Sequence, residues 1–172
     1  MKTACFAGGC FWCITPTFEE TEGVLSVRCG YAGGNEENPT YEAVKAQKTG
    51  HRESIRVDYD ETKVGFEALL DIFLSSVDVF DGEGQFIDRG HSYTLAVYYR
   101  DEKEKAAAEE KLALIEKESG KKTFVALEPF KSFYEAEEYH QDYYKKNPEA
   151  FQKELKESGT TFRFLDSEFE KQ

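Results

Sequence analysis

Apolar residues along this 172-residue chain fall into two rhythms. Leu25, Val27 and Cys29 alternate with Ser26 and Arg28, and the runs Ile55, Val57, Tyr59 and Leu95, Val97, Tyr99 do the same. Successive side chains of a strand point to opposite faces, so each run predicts a strand. Thr3 to Ala7 is a short apolar run closed by Gly8-Gly9, which predicts a first strand and a turn. The second rhythm is helical. Phe66, Leu69, Leu70, Phe73, Leu74 and Val77 recur at i, i+3, i+4, i+7, i+8 and i+11, which puts one apolar stripe on the strongest helix of the chain. Another helix is predicted to open at Cys10 and to end near Glu19, Glu20 and Gly23. Pro16 is expected in or near its first turn, where a missing N–H has no partner to lose.

Asp101 is a candidate cap for a helix running to Gly120, with Ala108, Leu112 and Ile115 inward and a solvated Glu/Lys face outward. Phe124 to Leu127 reads as a short strand, and Gly30–Pro39 and Asp81–Gly90 as loops. Phe130 to Tyr144 is crowded with aromatics and is expected to become helical near Glu137, ending at Asn147-Pro148. Pro148 to Gly159 suggests one more helix, and Phe162 and Phe164 alternate weakly beyond it. Strands and helices interleave without a linker, a repeat or a low-complexity block. The expected fold is α+β, in two layers with a mixed sheet. A single domain over 1–172 is expected, with a core over about 3–148 and a C-terminal extension over 149–172.

Charge narrows the function. Lys and Arg number 22 against 34 Asp and Glu, a formal charge of −12, which makes nucleic acid and anionic membranes poor partners. No stretch reaches the roughly 18 uncharged apolar residues of a membrane span. The best candidate, Phe66 to Phe80, contains Glu67, Asp71 and Asp78. The N-terminal apolar run is too short for a secretory signal, so a cytoplasmic protein with reduced thiols is expected.

Four cysteines then become the chemistry to explain. Cys10 follows a strand and two glycines and starts a helix. Unpaired N–H groups there carry partial positive charge, and such placement can lower a thiol pKa from about 8.5 toward 7 or below. Cys13 lies on the same helical face, so Cys10-Phe11-Trp12-Cys13 has the spacing of a redox couple. The plainer alternative is one reactive thiol beside a buried passenger. Phe11 and Trp12 suggest the wall of a pocket for a small apolar group, although core packing would use the same residues. Cys5 and Cys29 fit buried strand positions. His51, His91 and His140 are dispersed and no second close ligand pair exists, so no metal site is expected.

Gly8-Gly9-Cys10-Phe11-Trp12 resembles the signature of the A-type peptide methionine sulfoxide reductases. Gly30-Tyr31-Ala32-Gly33-Gly34, Asn38-Pro39-Thr40-Tyr41, Thr49-Gly50-His51-Arg52-Glu53 and Phe133 to Pro148, including Ala136-Glu137-Glu138-Tyr139-His140-Gln141, resemble further blocks of that family in the same order. Cys10-Phe11-Trp12-Cys13 with Pro16, together with Gly84 to Gly90, is similar to a subgroup of low-GC Gram-positive bacteria. The resemblance implies a ferredoxin-like α/β sandwich with long excursions. It implies reduction of the S epimer of methionine sulfoxide, free or in proteins, without a cofactor, with electrons from thioredoxin or another dithiol. On the matching positions it makes Cys10 the nucleophile and Glu53 the proton donor. Tyr41 and Tyr93 become the phenols that meet the sulfoxide oxygen, Phe11 and Trp12 the wall for the methyl group, and Asp88 an acid at the rim.

A sulfoxide sulfur is a weak electrophile whose oxygen leaves only when protonated, so the chemistry needs both a sulfur nucleophile and a nearby acid. A glutamate serves near neutral pH only if burial raises its pKa. The resulting sulfenic acid needs a resolving thiol. Cys13 is nearest in sequence and Cys29 is the other choice, because the tail after Cys29 has no cysteine. Competing readings are a general thiol–disulfide oxidoreductase and a module that binds oxidised methionine without turnover. His51 and His140 are expected to be structural.

Overall fold

A computed structural model describes residues 1–141 together with Lys146 and Glu149. Apart from Glu149, the helix proposed over Pro148 to Gly159, the Phe162/Phe164 alternation and the C-terminal extension lie outside the described residues. Ala4 and Phe6 on one side of the first strand and Cys5 and Ala7 on the other are all buried. The first strand is therefore central, and both faces of the sheet are covered.

In chain order the elements are β1 (Lys2–Gly8), α1 (Phe11–Glu19), β2 (Val24–Ala32), α2 (Tyr41–Lys45), β3 (Arg52–Tyr59), α3 (Phe66–Ser76), β4 (Gly84–Gln85), β5 (Asp88–Arg89), β6 (Leu95–Tyr99), α4 (Glu102–Ser119), β7 (Val125–Pro129) and β8 (Phe133–Glu135). Short 3-10 turns cover His91–Tyr93 and Glu138–His140. The main sheet has the order β7-β6-β1-β3-β2-β8. Only β6 and β7 run parallel, joined through α4, so the sheet is mixed as expected. The Ala4/Phe6 face packs against the helices through Ile14 and Phe18 of α1, Leu69, Leu70 and Phe73 of α3, and Ala108 of α4. Phe6 stacks on Phe73 and Phe18 at 4.9 and 5.6 Å between ring centroids, which ties β1 to two helices. The opposite face, with Cys5, Ala7 and Tyr98, is covered by Phe130 and Phe133.

Asp101 caps α4 by accepting the Glu104 N–H at 2.8 Å, and Gly120 ends the helix in the left-handed region. Four expectations needed correction. β2 continues through Gly30, Tyr31 and Ala32 rather than stopping before a loop. A Cβ at Gly30 would stand 2.4 Å from the Phe133 ring and the Tyr134 carbonyl, so glycine here serves the close approach of β8. Thr40 caps a short helix, α2, that periodicity did not reveal. Pro16 lies in the second turn of α1, beyond the first-turn position where its missing N–H would cost nothing. The aromatic run after Phe130 is strand β8 and a 3-10 turn as far as Gln141, and of the rest of the helix expected to end at Asn147-Pro148 only Lys146, which is helical, is among the described residues. The Asp81–Gly90 loop contains the β4–β5 hairpin, braced by Arg89 donating to both Asp81 oxygens at 2.6 and 2.8 Å.

Candidate active site

Cys10 is the N-cap residue of α1, as its sequence context predicts. Gly9 precedes it with φ +80, and a Cβ there would come within 2.8 Å of Gln85. Gln85 in turn holds the hairpin, donating to the Asp78 and Gly84 carbonyls and accepting the Asp78 N–H. Gly9 thus brings the Cys10 turn and the Asp88-bearing hairpin into contact. Gly9→Ala is expected to lower stability by about 1–3 kcal/mol, read as a lower denaturant midpoint with an unchanged slope.

The helix N-terminus does not act on the sulfur as the sequence suggests. Its Phe11 N–H donates to Glu53 Oε1 at 3.2 Å, and the Cys10 side chain makes no capping bond. The Cys10 thiol is held well above its ordinary pKa. The main cause is a hydrogen bond with Cys13, followed by burial and by the charges of Cys13, Glu53 and Asp88. The expectation of a lowered thiol pKa is therefore reversed, chiefly by the hydrogen bond with Cys13 and by burial.

Glu53 lies in β3 and is 1% exposed. Burial raises its pKa to about 8. Asp88 adds to the rise, while the Phe11 amide and Tyr93 oppose it. Its second oxygen, Oε2, is buried and makes no hydrogen bond of ordinary length. A buried acid whose pKa is raised to about 8 therefore stands at the start of α1, beside Tyr93.

Tyr93 is buried in the 3-10 turn, its pKa raised by burial first and then by Glu53, Tyr41, Asp88 and Cys10. All five groups therefore share one neighbourhood. Gln47, just beyond α2, ties that turn to the Tyr41 segment. It donates to Ser92 Oγ at 2.7 Å and accepts the Ser92 N–H at 3.0 Å. Trp12 is half-buried and stacks near Tyr41 at 6.2 Å, and Phe11 is fully buried, 6.3 Å from Tyr41. Asp88 lines a narrow cleft with Cys10, Cys13, Gln85 and Phe86. A larger cavity of about 480 Å³ lies at the other end of β1, around Lys2, Tyr59 and Asp101, away from the sulfur.

Cys13, Tyr41, Glu53, Asp88 and Tyr93, with Phe11 and Trp12 beside Tyr41, thus gather around Cys10. Cys29 lies on β2 beneath α1, its sulfur 3.3 Å from Thr15 Oγ1. His51 braces the loop after β2 through the Gly34 N–H and the Glu36 carbonyl. His140, expected to be structural, instead sits at the site. Its ring packs at a tilt against Tyr41 at 4.3 Å and lies 5.3 and 5.4 Å from Phe11 and Trp12. Gln47 and Glu137 are further site neighbours that residue type did not flag. Glu137 and His140 stand inside the block Ala136 to Gln141 that carries the resemblance. Among the described residues no group of three or more His, Cys, Asp or Glu is placed to hold a metal, and no helix is long and apolar enough to cross a membrane.

A mixed sheet that carries a cysteine pair at a helix start, beside a buried acid and two phenols, defines a thiol-dependent oxidoreductase. The family model for peptide methionine sulfoxide reductase matches residues 2–172, and the chain belongs to that family. It is 48% identical over 147 residues to peptide methionine sulfoxide reductase MsrA 2 of Staphylococcus aureus, covering 84% of this chain and 83% of that one. Among solved structures it resembles Mxr1 of Saccharomyces cerevisiae in reduced form, at 29% identity and a TM-score of 0.79, covering 86% of each chain. A structure of Mxr1 in complex with Trx2 matches in fold, at 19% identity and a TM-score of 0.53, covering 83% of this chain and 84% of that one.

Proposed function

We propose that this protein reduces the S epimer of methionine sulfoxide, free or in polypeptides, with Cys10 as nucleophile, Glu53 as proton donor and Cys13 as resolving thiol. The observation that carries this reading is the buried Glu53 carboxyl, its pKa raised to about 8, with one oxygen on the Phe11 amide and Tyr93 beside it.

The proton balance follows from the two raised pKa values. Both the Cys10 thiol and Glu53 hold a proton in the resting site. As the Cys10 sulfur attacks, Glu53 gives its proton to the sulfoxide oxygen and takes up the thiol proton. The S–O bond breaks, methionine leaves, and Cys10 carries the oxygen as a sulfenic acid. The substrate sulfur gains two electrons and the Cys10 sulfur loses two. Tyr41 and Tyr93 donate to the sulfoxide oxygen, while Phe11 and Trp12 receive the methyl group. Oxygen donors on one side and rings on the other select one epimer. Asp88 lies at the rim.

Cys13 then displaces water from the sulfenic acid and forms a disulfide. The hydrogen bond between Cys10 and Cys13 favours this thiol, whereas the Cys29 sulfur is occupied with Thr15 and the Phe11 carbonyl. A dithiol partner of the thioredoxin type returns both sulfurs to thiols, a step for which the yeast relative crystallised with Trx2 is the precedent. No prosthetic group takes part. The whole chain acts as one catalytic unit, in the cytoplasm.

The test is methionine formation from separated sulfoxide epimers, with thioredoxin or dithiothreitol as reductant. Product from the S epimer alone supports the reading, and product from neither epimer overturns it. Cys13→Ser is expected to form one methionine per enzyme without reductant and to lose turnover with thioredoxin. An unchanged steady-state rate with thioredoxin would assign resolution to Cys29 or to external thiol.

A further inference from the structure

One carboxylate near the site has no part in the reaction just described. Glu137 stands between β8 and the 3-10 turn that carries His140. Its two oxygens hold two different elements. Oε1 accepts the Tyr31 hydroxyl at 2.8 Å, and Oε2 accepts the backbone N–H of Tyr41 at 3.2 Å. Tyr31 is fully buried in β2 and is the direct cross-strand partner of Glu53 in β3. Tyr41 is the first residue of α2. Glu137 therefore links the strand beside the buried acid to the helix that presents the phenol.

The segment carrying Glu137 is itself fastened to β2. The Ala136 N–H donates to the Cys29 carbonyl at 2.8 Å. Gln141 exchanges two hydrogen bonds with the Cys29 backbone, each 2.9 Å, and donates to the Ala136 carbonyl. This makes the Glu137 side chain a short arm on a rigid support. From the same support the His140 ring packs at a tilt against Tyr41. Burial works against the Glu137 charge, but its own backbone N–H, the Tyr31 hydroxyl and the Tyr41 amide outweigh it and keep the carboxyl below its ordinary pKa. The arm is thus a carboxylate at neutral pH, and bonds to a carboxylate are stronger than neutral ones.

We propose that Glu137 is a positioning residue that sets Tyr41 against Glu53 by bridging the Tyr31 hydroxyl and the Tyr41 amide. This rests on the functional reading above, in which Tyr41 meets the sulfoxide oxygen. A phenol that must meet an oxygen as bond breaking begins is sensitive to displacement, and a shift of about 1 Å can cost up to about 100-fold in rate.

The experiment is a single turnover of reduced enzyme with methionine (S)-sulfoxide and no added reductant, read as amplitude and rate constant. Glu137→Ala is expected to keep the wild-type amplitude and to lower the rate constant about tenfold. Glu137→Gln should stay within about threefold of wild type, since its carbonyl still accepts the amide and its NH₂ donates to Tyr31. In a Tyr41→Phe background, Glu137→Ala should add little further loss, because its effect runs through the phenol.

A wild type that forms no methionine overturns the functional reading. With an active wild type, three results overturn the role of Glu137 alone. These are a wild-type rate constant in Glu137→Ala, a loss of amplitude with an unchanged rate constant, and an undiminished loss in the Tyr41→Phe background. If Glu137→Ala does not fold, Tyr31→Phe removes one arm of the bridge while keeping the ring. It should then slow the rate constant in the Tyr41 background and have little effect in the Tyr41→Phe background, and equal losses in both would overturn the proposal.

Discussion

Cys10→Ser is expected to abolish methionine formation, a loss on the order of 10⁴-fold or more, with the fold intact. The substitution separates chemistry from structure. Serine is a favoured N-cap residue, and the Cys10 side chain makes no capping bond for the change to break. The melting temperature should therefore hold or rise slightly. What disappears is the sulfur at the start of α1 that the proposed mechanism uses as its nucleophile. A hydroxyl has far weaker affinity for sulfoxide sulfur and no stable oxidised product to hand to Cys13. The measurements are methionine formed with dithiothreitol and a thermal melt of the same sample. Residual turnover in a folded Cys10→Ser protein would mean that another thiol carries the reaction.

Glu53→Gln carries the second large effect, and its sign depends on pH. In the proposed mechanism Glu53 donates only while protonated, and burial puts its pKa at about 8. The wild-type single-turnover rate should hold below that pH and fall as pH rises through it. Glutamine offers no acidic proton, so below pH 8 the variant should be slower by about 10²–10⁴-fold. The gap should narrow above pH 8, where the wild type also lacks its proton. A variant that matches the wild-type rate at pH 7 would remove Glu53 from the reaction.

Stability should move the other way. The folded pKa lies above the ordinary carboxylate value. The stability contributed by this group is therefore complete below the ordinary value and is lost as pH rises through about 8. Glutamine never ionises, so Glu53→Gln should be more stable near neutral pH, on the order of 2–4 kcal/mol by urea denaturation. A site that is less stable with its acid than without it is holding that acid for chemistry.

Several features of the site were legible from local pattern. Gly8-Gly9-Cys10 reads as strand, turn and helix start because each step depends on neighbouring residues. The same holds for the Asp101 cap and the apolar stripe of α3. Gly30 was misread for the opposite reason. Glycine usually marks a turn, but here it admits β8 against β2, and β8 lies more than a hundred residues away. α2 escaped notice because five residues are too few to show a period. The electrostatics of Cys10 escaped because burial, Glu53 and Asp88 bear on it only in the packed chain, where the helix-start amide also serves another acceptor. The residue that takes the Phe11 amide is forty-two positions downstream.

The order of residues alone determined the alternating strands, the helix opening at Cys10, the acidic character and the family, since these rest on periodicity, composition and contiguous motifs. Tertiary structure alone decided which groups share a proton and which hold one another in place. The antiparallel pairing of β3 with β1 and β2 brings Glu53 under the α1 N-terminus. The Gln47 and Glu137 bridges draw Tyr93 and Tyr41 to the same point. Burial sets the protonation of Cys10 and Glu53, and burial belongs to the packed chain rather than to any segment of it.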